Sequence, residues 1–179
     1  MNIHQFCVDL AIERLALRNP SRPARILDYG CGAGQIVELL QRASPTIAAF
    51  GCDIFYDGGS YRRDVDDALL GTGVVREMQD GKIPFESAEF DMVINNQVME
   101  HVDDLDAVVQ EISRVLRPGG IVLSLFPDAS VWREGHSGIP FLHWYRSGSR
   151  VRLLHAMAFR SVGFGYYKEG KSIERWSRD

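Results

Sequence analysis

The chain has 179 residues, 45% of them hydrophobic and 25% charged, with a net charge of −4, which fits one compact domain with a sizeable core and excludes a disordered chain. Its longest apolar runs, such as GIVLSLF at 120–126, fall far short of the roughly 18 residues of a membrane span, and the first residues lack the basic start and small-residue cleavage site of a secretory signal, so the expected compartment is cytoplasmic. Cys7, Cys31 and Cys52 are widely spaced with no C-x-x-C pair, which argues against a disulfide framework and a zinc site; they read as small buried apolar residues, and no metal is expected.

Residues 2–18 place Ile3, Phe6, Cys7, Leu10, Ile12 and Leu17 at mostly helical spacing, and NPSRP stops that helix. ARILDY at 24–29 reads as a first strand, and from Gly34 the segment GQIVELLQRA repeats apolar residues as a helix closed before Pro45. TIAAFGCDI at 46–54 is a second strand, GVVREM at 73–78 a third, and FDMVINNQV at 90–98 a fourth, whose apolar run ends in two asparagines. DLDAVVQEISRVL at 104–116 is an amphipathic helix with Leu105, Val108, Val109, Ile112, Val115 and Leu116 on one side. RPGG at 117–120 ends it, and IVLSLF is a fifth strand. A last helix is expected from about 149 to 162, followed by a polar, glycine-broken tail.

Continuous apolar strands alternating with amphipathic helices imply an α/β fold: a doubly wound, mostly parallel Rossmann-like sheet with helices on both faces. Ligands of such sheets sit beyond the carboxyl ends of the strands. The notable residues fall there, at 28–34, 53, 80–84 and 95–101.

The loop after the first strand reads acid-x-G-x-G-x-G, with Asp28, Gly30, Gly32 and Gly34 and with Gln at position 35. A dinucleotide loop, G-x-G-x-x-G, would rest a diphosphate on the helix N-terminus; the spacing here suits a ligand with a different polar head. Asp28 would offer its carboxylate to a ligand ammonium group or accept loop N–H bonds, and the plain alternative is a bare strand-to-helix turn. Asp53 stands 19 residues beyond Gly34, where a carboxylate reaches a ribose hydroxyl pair; alone it would read as a helix cap or a solvated loop residue.

Together these features resemble the class I S-adenosylmethionine-dependent methyltransferases, in their small-molecule group, to which the ubiquinone and menaquinone biosynthesis methyltransferases belong. The likeness runs from about Ala24 to Phe126 through LDYGCGAG, GCD, MQDGKIPFESAEFDMVINNQVMEHV and ISRVLRPGGIVLSLFP, in the family order. It implies S-adenosylmethionine as cofactor and methyl transfer to a small molecule as activity. Gly30, Gly32 and Gly34 would line the methionine part, with Asp28 near its amino group. Asp53 would bind the ribose hydroxyls, and Ile54 would pack on the adenine. Asp80 would accept from the adenine amine with Gly81 beside it, and Asn95 or Asn96 would lie under the sulfonium. Asp91 opens the fourth strand and reads as structural. His101, in MEHV, is the candidate catalytic base, against a plain reading as a packing or capping residue.

Residues 1–128 carry 20 acids against 11 Lys or Arg, and residues 129–179 carry 4 against 9. The expected organisation is therefore a cofactor-binding core with its N-terminal helix at 1–128 and a substrate-facing segment and tail at 129–179. In the latter, Trp132, Phe141, Trp144, Tyr145 and Phe159 lie among Arg133, Arg146, Arg150 and Arg152, a mixture suited to an anionic or aromatic acceptor or, equally, to a solvated flap packed on the sheet. The irregular interleaving and acidic chain argue against nucleic acid.

The two further strands that usually finish the family sheet are not visible. The expectation is a truncated piece of a longer enzyme or a sheet of about five strands, whose uncovered edge would invite an oligomer. Two other readings stand beside the enzyme. One is a catalytically silent binding module. The other is an NAD(P)-dependent short-chain dehydrogenase, which Tyr167 and Lys171 imitate, although Gly165 and Gly170 argue against the helix those residues would need.

Overall fold

The computed structural model of the chain describes residues 2–18, 22–54, 67–126, 138–146 and 149–166. The first unit, Met1–Phe126, is built on five parallel strands in the order β3-β2-β1-β4-β5: β1 Ala24–Tyr29, β2 Ile47–Asp53, β3 Val75–Glu77, β4 Phe90–Asn96 and β5 Leu116–Leu125. This is the expected doubly wound sheet. The chain steps outward from β1 through β2 to β3 and then returns to the other side of β1 with β4, so the order reverses between β1 and β4. Such a reversal opens a crevice at the carboxyl ends of the two strands.

Side-chain alternation along the strands divides the core into two layers. Ala24 and Ile26 of β1 with Met92 and Ile94 of β4 pack beneath the helices α1, Ile3–Ala16, and α2, Gln35–Ala43. Leu27 and Tyr29 with Cys52 and Val93 form the opposite layer against Ile112 and Val115 of α4, Leu105–Val115. Each fully buried aliphatic side chain contributes about 1.5–3 kcal/mol. All three cysteines are free and buried.

Local chemistry sets the helix starts. Asn2 caps α1 by accepting from His4 N–H at 3.0 Å, and Asp104 caps α4 by accepting from Ala107 N–H at 3.0 Å. A short helix α3, Asp67–Gly71, precedes β3 and was not anticipated from the sequence. No helix among the described residues is long and apolar enough to cross a membrane.

Three details differ from the sequence reading. The buried side of α1 is Cys7, Val8, Ala11 and Leu15, whereas Leu17 is exposed beyond the last turn. On α4, Leu105 and Val109 are exposed and only Ile112 and Val115 are buried, because the helix touches the sheet mainly through its last turns. RPGG is not a loop ahead of β5 but lies inside it: β5 pairs with β4 at Phe90↔Leu116, then resumes at Met92↔Ile121 after a register shift. Pro118 disfavours helix at Arg117, and Gly119, at φ +78°, turns the irregular stretch.

In the second unit, Pro127–Asp179, the described residues include the helix α5, Arg150–Ser161, which Ser149 caps by accepting from Arg152 N–H at 3.2 Å. Its aromatics pack on one another: Tyr145 on His155 at 5.0 Å, His155 on Phe159 at 4.6 Å and Phe159 on Phe164 at 5.3 Å between centroids. His155 Nε2 lies 2.8 Å from the carbonyl oxygen of Pro140, and Ile139, Leu142 and Ala156 are buried beneath.

Candidate functional site

The glycine loop lies where β1 ends. Gly30, Gly32 and Gly34 have φ of +74°, +53° and +82°, the left-handed region that glycine enters without strain. A Cβ at Gly30 would stand 2.4 Å from Val98 Cγ2, so position 30 is closed to any side chain by packing as well as by conformation. The loop hangs on the end of β2: Gly30 N–H and Cys31 N–H both donate to the Cys52 carbonyl, at 2.8 and 3.1 Å, and Gly34 N–H donates to Cys31 O at 2.8 Å. Gly51 lets this happen, because a Cβ there would lie 2.8 Å from Cys31 Sγ.

Asp53, the last residue of β2, completes the attachment. Its Oδ2 accepts the Gly32 N–H at 2.6 Å. Burial raises the Asp53 pKa, and the hydrogen bonds from Gly32 and Ile54 N–H partly offset that rise. Asp28 is 2% exposed, and burial first, then the charge of Asp53, pushes its pKa up to about 8. Two neighbouring carboxyls therefore face one loop with their ionised forms penalised, and a cation would relieve both. The same burial pushes the Cys31 and Cys52 thiols up, which makes them inert packing rather than nucleophiles.

Across the reversal, β4 brings Asn95 and Asn96 to its carboxyl end. Asn95 is fully buried and donates from Nδ2 to Ser124 Oγ at 2.8 Å. Its Oδ1 and the Asn96 Oδ1 are buried without a partner among the described residues. Buried polar atoms are rarely left so; consecutive side chains of a strand point to opposite faces, so one ligand donor could complete one of the two. The next residue, Gln97, is held at φ +55° by its N–H bond to Leu125 O at 2.7 Å, a conformation uncommon for its residue type. His101 closes the 3₁₀ turn Met99–His101 and is exposed.

Asp80 and Gly81 occupy the two central positions of a tight turn, at φ +51° and +71°, closed by Lys82 N–H donating to Gln79 O at 2.9 Å. Both are exposed, and an Asp-Gly pair is what a turn with two left-handed residues favours. This local role stands beside the adenine role implied by resemblance. The segment after the turn is clamped by α4: Glu111 accepts the Ile83 N–H at 3.0 Å, while Arg114 donates to the carbonyls of Phe85 and Ile83, each at 2.8 Å. Ile54 follows β2 and is 43% exposed.

The structure thus brings Asp28, Gly30, Gly32, Gly34 and Asp53 together at the end of β1 and β2, and places Asn95, Asn96 and His101 at or just past the end of β4. Val98 against Gly30, Ser124 beneath Asn95 and the Glu111–Arg114 clamp were not anticipated. Ser124 had a signal, as the polar residue inside VLSLF; the others depend on tertiary contacts. Among the described residues no group of acidic, His or Cys side chains could hold a metal ion. Trp132, Arg133, Tyr167 and Lys171 lie outside the described residues.

Residues 3–179 match the family described as "Methyltransferase domain". The chain is 32% identical over 110 residues to a malonyl-[acyl-carrier protein] O-methyltransferase of Methylococcus capsulatus, covering 61% of this chain and 40% of that protein. It is 30% identical over 154 residues to a ubiquinone/menaquinone biosynthesis C-methyltransferase of Desulfotalea psychrophila, covering 84% and 58%. In fold it is similar to a SAM-dependent methyltransferase from Aquifex aeolicus, with a TM-score of 0.50 at 16% identity over 75% of this chain and 71% of that one. The chain spans about half the length of these two curated relatives.

Proposed function

The chain belongs to the class I S-adenosylmethionine-dependent methyltransferases, and from that premise we propose that it binds S-adenosylmethionine and transfers its methyl group to a small-molecule acceptor. The observation that carries this reading is the pair of neighbouring carboxyls, buried Asp28 and half-buried Asp53, beside a loop of left-handed glycines. A ligand bearing positive charge is what such a pair favours, and the glycines leave the loop without side chains where the ligand would lie. On β4, across the strand reversal, one of the amide oxygens of Asn95 and Asn96, neither with a partner among the described residues, would extend the same site. These residues fit the cofactor: Asp28 would meet its ammonium group, Gly30, Gly32 and Gly34 its methionine part, and Asn95 or Asn96 the region of the sulfonium. Asp53 would accept from the ribose while also holding Gly32, since each carboxylate oxygen has more than one lone pair. Ile54, Asp80 and Gly81 would serve the adenine end.

When bound, S-adenosylmethionine supplies a methyl group already made electrophilic by its sulfonium. The protein's work is then to align an acceptor and to exclude water; no nucleophile of its own is needed. His101, exposed just past β4, is the residue we assign to accept a proton from a phenolic or carbon acid. Phe141 and Trp144, both exposed, with Arg146, Arg150 and Arg152, carry the chemistry that suits an anionic or aromatic acceptor. The relatives' names, a malonyl-[acyl-carrier protein] O-methyltransferase and a ubiquinone/menaquinone biosynthesis C-methyltransferase, support acceptors of this kind.

The test is transfer of labelled methyl from S-adenosylmethionine to a panel of phenolic, quinol and carboxylic acceptors. Labelling of one class, reduced by His101→Gln at unchanged cofactor affinity, supports the reading. Cofactor binding with no acceptor labelled would instead support a silent binding module.

A further inference from the structure

At the amino ends of the strands, the opposite end from the glycine loop, lies a cleft of about 430 Å³ lined by Leu15, Arg18, Arg22, Asp91, Arg117 and the stretch Pro118–Gly120. β1 alone separates the two ends by six residues, roughly 20 Å at about 3.3 Å per residue. Nothing in the proposed methyl transfer uses this cleft.

Its charge is unbalanced. Asp91 accepts from Arg22 through both terminal nitrogens, at 2.9 and 2.6 Å, from Arg117 at 2.9 Å and from Arg25 N–H at 2.8 Å. Burial alone would raise the Asp91 pKa, but these donors together hold it down at about 2, so the carboxylate is saturated. Among the described residues Arg18 reaches only a neutral acceptor, the Gly119 carbonyl, at 2.5 Å. One carboxylate therefore faces three guanidinium groups on the cleft wall.

The donors are in excess as well. Each guanidinium carries five N–H donors. The hydrogen bonds use one nitrogen of Arg18, one of Arg117 and two of Arg22, which leaves most of the donors without an acceptor among the described residues. Arg22 and Arg117 remain 46% and 28% exposed, open to a ligand while Asp91 holds them in place. Gly119, where an added Cβ would meet nothing within 4 Å, leaves part of the wall without a side chain. Guanidinium forks match the oxygens of a phosphate in pairs, and the volume lies within the range of small-ligand sites.

We infer that this cleft is a second binding site, separate from the cofactor loop, for a small phosphate-bearing anion of the diphosphate class. Arg18, Arg22 and Arg117 hold its oxygens, and Asp91 sets the two latter side chains in position.

Calorimetric titration of the whole chain with inorganic diphosphate, at fixed ionic strength, tests this. The expected result is saturable one-to-one binding that is unchanged when S-adenosylhomocysteine is present in saturating amount. Arg18→Gln, which breaks no ion pair among the described residues, should weaken it at least tenfold while leaving the unfolding midpoint and the binding of S-adenosylhomocysteine unaltered. Inorganic monophosphate should bind more weakly than diphosphate. No saturable binding, binding that survives Arg18→Gln, or competition with S-adenosylhomocysteine would each overturn the inference; the last would place the anion at the glycine loop. Because diphosphate binding is read without any methyl acceptor, its failure leaves the proposed activity untouched.

Discussion

The Asp53 carboxylate accepts the Gly32 N–H at 2.6 Å, so the acid at the end of β2 and the middle glycine of the loop after β1 form one unit. A residue assigned to ribose by its position also fixes the loop that would hold the other end of the same ligand. Asp53→Ala removes both contributions. A hydrogen bond to a charged group is worth about 1.5–3 kcal/mol, so affinity for S-adenosylhomocysteine should fall by roughly ten- to a hundred-fold. Unchanged affinity in a calorimetric titration would reject both roles.

Gly30→Ala should destabilise the fold. The substitution places a Cβ 2.4 Å from Val98 Cγ2 at φ +74°, and the left-handed conformation alone costs roughly 1–2 kcal/mol. Adding Val98→Ala should recover the steric part of the loss but not the conformational part. Urea unfolding midpoints of the single and double variants check this; full recovery would show that the backbone at position 30 can relax.

Asp28 and Asp91 should give stability opposite dependences on pH. The Asp28 pKa is raised from 3.8 to about 8, so its folded form binds more protons than the unfolded chain between those values. Its contribution is fully present below the unfolded pKa and is lost as pH rises toward 8. Asp91, lowered to about 2, contributes above the unfolded pKa and loses that contribution as pH falls toward 2. The stability advantage of Asp28→Asn over the natural chain should therefore widen from pH 4 to pH 8, whereas the deficit of Asp91→Asn should shrink below pH 4. A difference that stays constant with pH in either variant would contradict its assignment.

The cofactor should report the same carboxyl. Binding a cation beside Asp28 favours its ionised form, so affinity for S-adenosylmethionine should rise with pH up to about 8, where Asp28 titrates. In Asp28→Asn that rise should be lost. A slope unaffected by the substitution would assign the proton to another group.

Much of this was legible in the sequence because it is local or periodic. The doubly wound, mostly parallel sheet could be expected from apolar runs alternating with helices, and the glycine triplet marked a ligand loop after the first strand. Asp28 and Asp53 were found because they sit where strands end. Other features were decided by distant contacts. Leu105 and Val109 share a helical face with Ile112 but remain exposed, since periodicity says which residues share a face and not how far the sheet extends beneath it. RPGG looked like a stop and became an irregular part of β5, because pairing with β4 resumes beyond it. Arg18, Arg22 and Arg117 are separated by up to 99 residues, and only the fold assembles them around Asp91.

The most direct test of the central claim is a calorimetric titration of the chain with S-adenosylhomocysteine, run beside one with NADPH. The expected result is one-to-one binding of S-adenosylhomocysteine, weakened by Asp53→Ala, and no binding of NADPH. Binding of NADPH without S-adenosylhomocysteine, or of neither by a folded chain, would contradict it.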